Sequence, residues 1–338
     1  MPYNTADSTP RPEISTLLME ASGQEQGYIG QSIFPIYPSD TETGRYPIFP
    51  KKEAELLNAG RGVTSSTPTF SSVTKRNDTG TYNELDRKFT WGSFFTEEYG
   101  LEERVDDVVG TRMSNFFDAE MVTGKLLANS LMLDYEMECA TTLMNATTFS
   151  SNITLATTAS WATDPETAAS CAGIPAQINA AIELMTQRGE KPDTLVLSLT
   201  NWNLWRRNSR LSTYIWGSLN TAAGGSQITE QAVANAFRLK RILIAEKSVN
   251  AALKGKTVSL ANVWGDTYAA LIKSGEGDFM SGGLGRTIVW SADSPGGLFT
   301  SESYRDEKRR GTMLRVRSNR TQKILLTDCC QLLKNATS

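Results

Sequence analysis

From Asp106 to Thr147 the chain reads DDVVGTRMSNFFDAEMVTGKLLANSLMLDYEMECATTLMNAT, without one proline. Apolar residues return at helical spacing: Val105, Val109, Met113, Phe116, Val122, Leu126, Leu127, Leu131 and Met144. Read as one helix, the stretch spans roughly 60 Å at about 1.5 Å per residue. That is several times the usual globular helix. The apolar residues keep no strict heptad, so a lone helix is expected rather than a coiled coil. Such a helix is a girder along which the other elements must pack. It carries Asp106, Asp107, Asp118, Glu120, Asp134, Glu136 and Glu138 against Arg112 and Lys125. Asp106 and Asp107 fall in its first turn, where the helix dipole favours acids. They read as caps rather than as a general acid/base pair, because nothing in the sequence shows a pocket around them.

A chain of 338 residues, 39% hydrophobic and 21% charged, can bury a core as two domains or one elaborated one. Its formal net charge of -3 excludes a grip on nucleic acid by bulk charge. Histidine is absent, which removes histidine triads, histidine bases and histidine metal ligands. Cys139, Cys171, Cys329 and Cys330 form no C-x-x-C pair and read as buried free thiols of a reducing compartment. No metal or cofactor is expected. The N-terminus lacks a basic-then-apolar signal and no 18-residue apolar run occurs, so cytosolic synthesis without a membrane anchor is expected. Sequons at Asn77, Asn145, Asn152, Asn319 and Asn335 are then coincidental.

Residues 1–35 read as a polar arm whose only basic side chain is Arg11. Residues 36–90 carry many turn formers and, between Asp40 and Lys88, eight basic and seven acidic residues. Such a stretch cannot be held by a core of its own. It reads as a long hairpin turning at Asp78-Thr79-Gly80, lying on some other surface. After the aromatic strand Phe89–Tyr99 and the long helix come a helix at Ile174–Gln187 stopped by Gly189, and a buried strand at Asp193–Leu199. A helix capped by Thr200 or Asn201 then runs to Trp216, with Trp202, Trp205, Leu211 and Ile215 as core rather than as a platform for stacking bases. Thr229 caps a helix to Phe237. Arg241–Ala245 is a strand, Val263–Asp266 and Tyr268–Ile272 are a strand pair, and Arg286–Trp290 is another strand. Ser281–Gly285 lacks the context of a phosphate cradle and reads as a loop. From Arg305 onward nine basic residues meet three acidic ones. Leu314 and Val316 alternate with Arg315 and Arg317, a turn is expected at Asn319-Arg320, and Lys323–Leu333 returns as a strand.

This order of parts resembles the major capsid protein of tailed double-stranded DNA bacteriophages. The most specific stretches are Lys191–Ile215 (KPDTLVLSLTNWNLWRRNSRLSTYI), Ile228–Val249 (ITEQAVANAFRLKRILIAEKSV) and Asn262–Ile272 taken with Tyr304–Asn335 (WGD … YRDE … VR). The resemblance implies an α+β chain of the Hong Kong 97-type phage capsid fold. It would comprise an N-terminal arm (1–35), an extended β-hairpin loop (36–90), a peripheral domain (91–190) with spine helix 106–147, an axial domain (191–303) and C-terminal strands (304–338) returning to the peripheral domain.

The implied function is structural, not enzymatic. The chain would self-assemble into hexamers and pentamers of an icosahedral virion shell, formed in the bacterial host cytoplasm, around double-stranded DNA. Scaffolding and portal proteins, and a decoration or cement protein, are the implied partners. A scaffold separate from the chain is expected, because the short arm leads straight into the loop. Inter-subunit contacts are expected from Arg45, Lys51, Lys52, Glu53, Glu55 and Arg61 in the loop, and from Arg305, Asp306, Glu307, Lys308, Arg309 and Arg310 in the tail. Some family members weld loop to tail by a lysine–asparagine bond; Lys51, Lys52 and Asn319 lie in the corresponding segments, but read as ordinary loop and tail residues. The helix carboxylates are expected to face the packaged genome. The alternatives are an encapsulin-like nanocompartment shell and, in another class, an α/β enzyme without histidine.

Overall fold

The structure, a computed structural model, describes residues 9–10, 27–48, 78, 80, 90–114, 118–155, 160–161, 173–217, 228–253, 255–295, 297–334 and 336. Strand β1 (Thr9–Pro10), the single-turn helix α1 (Gly30–Ile33) and β2 (Ile36–Ser39) open the chain. Strand β3 (Thr43–Ile48) pairs antiparallel with β4 (Thr90–Phe95), from Thr43 opposite Phe95 to Ile48 opposite Thr90. This ladder closes the long excursion at its base. Of the expected turn, Asp78 is in a turn and Gly80 in a bend, whereas Thr79 and most of the excursion lie outside the described residues.

Strand β5 (Glu97–Asp106) leads into α2 (Asp107–Met113) and then α3 (Ala119–Leu143). The single helix expected over 106–147 is therefore two. The reason is a second cap. Asp106 accepts a hydrogen bond from the Val108 amide and starts α2, whereas Asp118 accepts from the Glu120 and Met121 amides and starts α3 afresh. The restart resets the helical phase. The buried stripe of α3 is Gly124, Leu127, Ala128, Leu131, Met132, Tyr135, Glu136, Cys139, Ala140 and Leu143. Val109, Met113, Val122 and Leu126 were expected on the inner stripe and are exposed instead. Much of the true stripe is small or polar, which hides it from a reading based on large aliphatic residues.

Beyond β6 (Asn152–Thr154), α4 (Gly173–Gln187) ends at Gly189, whose φ is +87°. Strand β7 (Thr194–Ser198) is buried throughout. Ser198, not Thr200 or Asn201, caps α5 (Leu199–Arg207), and Asn208 ends it while capping α6 (Ser209–Trp216). Asn201 instead donates to the carbonyls of Asp266 and Tyr268. As expected, Thr229 caps α7 (Glu230–Ala236), and Arg241–Ala245 is a strand, β8. A two-stranded hairpin of β9 (Ser248–Asn250) and β10 (Leu260–Asn262) follows, then β11 (Tyr268–Ile272), β12 (Gly285–Trp290), β13 (Thr300–Asp306), β14 (Gly311–Ile324) and β15 (Cys330–Lys334). Val263–Asp266 is a turn rather than a strand, because β10 pairs with β9 and not with β11.

Two sheets result. The first runs β1-β13-β14-β12-β2, with β5 also on β14. Strand β14 passes straight through Asn319 and Arg320, where a turn was expected, because β5 pairs with it from Gly311 to Arg320. The turn signal of Asn319 is overridden by ten residues of ladder. Leu314 and Val316 face the core as expected, and α3 covers that side through Leu127 and Leu131. The second sheet runs β6-β15-β11-β7-β8 and is packed by Ile174, Ile178, Trp202, Trp205, Leu211 and Val233. The two tryptophans are core, as the sequence indicated. A boundary at 303 does not coincide with the sheets. Strand β12 precedes it and β13 straddles it, yet both lie in the first sheet, whereas β15 of the tail lies in the second.

The restart of phase at Asp118 gives a direct test. Leu131 is 3% exposed and Leu126 58% exposed. Leu131→Ala is expected to destabilise the subunit by about 3 kcal/mol, as for other buried leucines. Leu126→Ala is expected to change it by less than about 0.5 kcal/mol. Urea denaturation of both variants in the unassembled state checks this.

Candidate functional site and assembly surfaces

The buried faces of α3 and β14 hold charges. Glu136 is fully buried, and its carboxylate accepts from three donors. Oε1 takes the Ile29 amide at 2.8 Å and the Trp264 indole at 2.6 Å, and Oε2 takes the Gly30 amide at 2.8 Å. One side chain thus ties the start of α1 and the turn after β10 to the middle of α3. Burial pushes its carboxyl pKa up, and the three N–H donors oppose the shift. Glycine is required at 30, since a Cβ there would lie 2.7 Å from Glu136 Oε2. Beside it the Tyr135 hydroxyl meets Thr287 Oγ1 at 2.7 Å, and Thr287 donates to the Phe34 carbonyl at 3.1 Å.

Arg320 is buried under α3. It pairs with Asp134 at 3.0 Å and Glu138 at 3.2 Å, and its guanidinium lies 4.4 Å from the Tyr99 ring and 5.3 Å from the Tyr135 ring. Arg317, on the other face of β14, is held between Asp293 and Glu302. Asp107 forms a bidentate pair with Arg305, both bonds 2.6 Å. These contacts engage most of the helix carboxylates within the subunit itself. Asp134, Glu136 and Glu138 hold the subunit's own arginine, amides and indole, Asp106 and Asp118 cap, and Asp107 binds the tail. The complementary charges of helix and tail operate within one subunit.

Solved structures match this arrangement over nearly its whole length, whereas no family model and no curated protein sequence matches it. The crystal structure of a phage-related protein from Bordetella bronchiseptica RB50 has 18% identity and a TM-score of 0.68, covering 97% of this chain and 98% of that one. The capsid of cyanophage P-SCSP1u has 14% identity and a TM-score of 0.52, covering 90% and 87%. A virus-like particle from Pyrococcus furiosus has 10% identity and a TM-score of 0.54, covering 96% and 98%. This is the Hong Kong 97-type capsid fold.

Within that fold the residues singled out for inter-subunit contact are distributed unevenly. Arg45 is exposed on β3, opposite Ser93. Lys51, Lys52, Glu53, Glu55 and Arg61 lie outside the described residues. Arg305 and Asp306 end β13, and Glu307 to Arg310 form the turn joining it to β14. Arg305 is committed to Asp107. Asp306 Oδ1 accepts the Lys308 and Arg309 amides, shaping the turn. Glu307, Lys308, Arg309 and Arg310 project from it. Asn319, the counterpart for a covalent weld, is buried in mid-strand with its amide on Asp293 at 3.2 Å, so it is not presented to a lysine of another subunit. Cys139, Cys329 and Cys330 are buried and free, and burial pushes the Cys139 and Cys330 thiols up. Cys171 lies outside the described residues. Among the described residues no helix is long and apolar enough to cross a membrane, and no cluster of metal-ligating side chains occurs.

Two surfaces escaped the sequence reading. Trp91 and Phe95 on β4 are 61% and 52% exposed, so the aromatic strand is in part an outward face. The β9–β10 hairpin exposes Leu253, Val258 and Leu260. Alternation of Val258 and Leu260 with Thr257 and Ser259 was the available signal.

Two outcomes test these assignments. Arg320→Met is expected to cost about 3 kcal/mol in urea denaturation, because it leaves Glu138 half-buried without its cation. Arg305 holds the Asp107 carboxyl below its ordinary pKa. The pair's contribution is therefore present above the unfolded carboxyl's range and lost as pH falls through the depressed value. An NMR titration of Asp107 should show a depressed midpoint that returns to the ordinary range in Arg305→Ala.

Proposed function

We propose that this chain is the major capsid protein of a tailed double-stranded DNA phage, assembling into hexamers and pentamers of an icosahedral shell. The observation that carries the reading is end-to-end likeness to capsid-type subunits, with little of this chain or of theirs left over. Three features of the subunit support it. An excursion of some forty residues leaves the body through the β3–β4 ladder, and a stretch of such composition needs a neighbour's surface to lie on. Large apolar side chains stand exposed on β4, α2, α3 and the β9–β10 hairpin, as befits a subunit whose folding is completed by assembly. Net charge is only slightly negative, so the shell would contain DNA without gripping it.

On this reading the sheet with α2 and α3 is the peripheral domain, the sheet with α4 to α7 is the axial domain, and 36–90 is the extended loop. The role is structural rather than catalytic. Scaffolding, portal and decoration proteins, and formation in the host cytoplasm, belong to the same proposal. Individually weak contacts, repeated around a closed shell, add up to a strong one. The second reading is a nanocompartment shell of the same fold around protein cargo.

Electron microscopy of the purified chain is expected to show closed icosahedral particles, with double-stranded DNA in those isolated natively. Stable monomers at high concentration would defeat both shell readings, and particles filled with protein would select the nanocompartment.

A further inference from the structure

The side of α3 turned away from its buried stripe is not polar. Leu126, Leu133 and Met137 follow one another at helical spacing along it, and β5 sets Leu101 beside them. Between strand and helix lies a cavity of about 390 Å³, lined by Tyr99, Leu101, Ser130, Leu131, Leu133 and Met137 among others. Its surroundings are acidic: Glu97, Glu98 and Glu103 are exposed on β5, beside Glu102, which pairs with Arg315, and Asp134, which pairs with Arg320. Only β14 pairs with β5 among the described strands, so the outer edge of β5 is open there.

The β9–β10 hairpin has the complementary character. Leu253 and Leu260 are 79% and 70% exposed, and Val258 stands beside them. From Ser248 to Asn262 the chain carries Lys254 and Lys256 and no acid. The hairpin is rooted on the side of α3 opposite the groove. It hangs from the bond between the Val263 amide and the Lys247 carbonyl, next to Trp264, which is seated on Glu136 of the buried stripe. The groove lies on the far side of a helix about 10 Å across.

We propose that the β5–α3 groove receives the β9–β10 hairpin of a second copy of this chain. The apolar side chains fill the groove and Lys256 meets the glutamates of β5. Donor and receiver are different patches of one subunit, so the contact is head-to-tail. A head-to-tail contact closes into rings when its rotation permits, which a two-fold contact does not do. The inference rests on the shell reading, and supplies one of the joints within its rings.

The test uses the full chain in three arms. Leu260→Cys with Leu101→Cys, treated with a short bis-maleimide, should give ladders of covalent oligomers in assembled particles, and neither single variant should. Lys256→Glu should reduce the assembled fraction roughly tenfold, about 1.4 kcal/mol per joint. Adding Glu103→Lys should restore it. All four positions are exposed, so each variant's monomer should keep the wild-type circular dichroism and melting temperature. Wild-type particles that form normally, with no ladder and no rescue, would overturn this contact and leave the shell reading intact. A wild-type chain that forms no particles would overturn both.

Discussion

A carboxylate sealed from water must be met by hydrogen-bond donors. Glu136 gathers its donors from segments more than a hundred residues away in both directions: the Ile29 and Gly30 amides before it, and the Trp264 indole after it. The entry of the N-terminal segment, the middle of the long helix and the link between the two sheets are thereby fixed to one point. The neighbouring Tyr135–Thr287–Phe34 chain secures the same entry to β12. One turn further along α3, Arg320 does the corresponding work for β14. Its cation sits over two tyrosine rings and between two carboxylates that still reach water. The arrangement specifies which face of α3 meets the sheet, since rotating the helix would bury Asp134 without its partner.

Much of this architecture is legible in the sequence. The Val-Leu-rich β7, the Thr229 cap, the Gly189 stop and the alternation of Leu314 and Val316 with arginines each have one physical reading, and each took it. The long helix shows where reading fails. Asp118 is a cap by residue type, but within a proline-free amphipathic run it reads equally well as a surface acid. Once that cap is missed, the inner face is assigned to the wrong residues. The same limit hid the internal use of the acids. Glu136 and Glu138 look like a solvated face until the fold brings Trp264, Arg320 and Gln322 to them from more than a hundred residues away. The turn at Asn319 was misread because local propensity cannot register the ten-residue partner that β5 supplies. Exposed aromatic and aliphatic side chains on β4 and the β9–β10 hairpin were invisible for the opposite reason, since an apolar residue does not announce whether its cover comes from its own chain.

That last difficulty bears on function. On the proposed shell reading, the chain leaves part of its apolar surface for its neighbours, so its sequence looks like a well-packed globule with a misplaced excess. The described surface shows where the excess lies: along the outer side of α2 and α3, on the stem of the long excursion, and on a small hairpin. None of these is needed to hold the subunit together. The buried charges are, which divides the labour between polar groups that fix the subunit's shape and apolar groups left over for contact.

Strand β14 has a mechanical consequence. It is hydrogen-bonded along both edges, to β5 on one flank and to β13 on the other, with β12 continuing the ladder toward its end. A load applied along the strand acts on all those bonds in shear, and they must fail together. A load across it would peel them one by one. A wall built from such subunits would resist tension in the direction of β14 far better than at right angles to it, so the strand's course through the wall would mark the direction in which the wall is stiff.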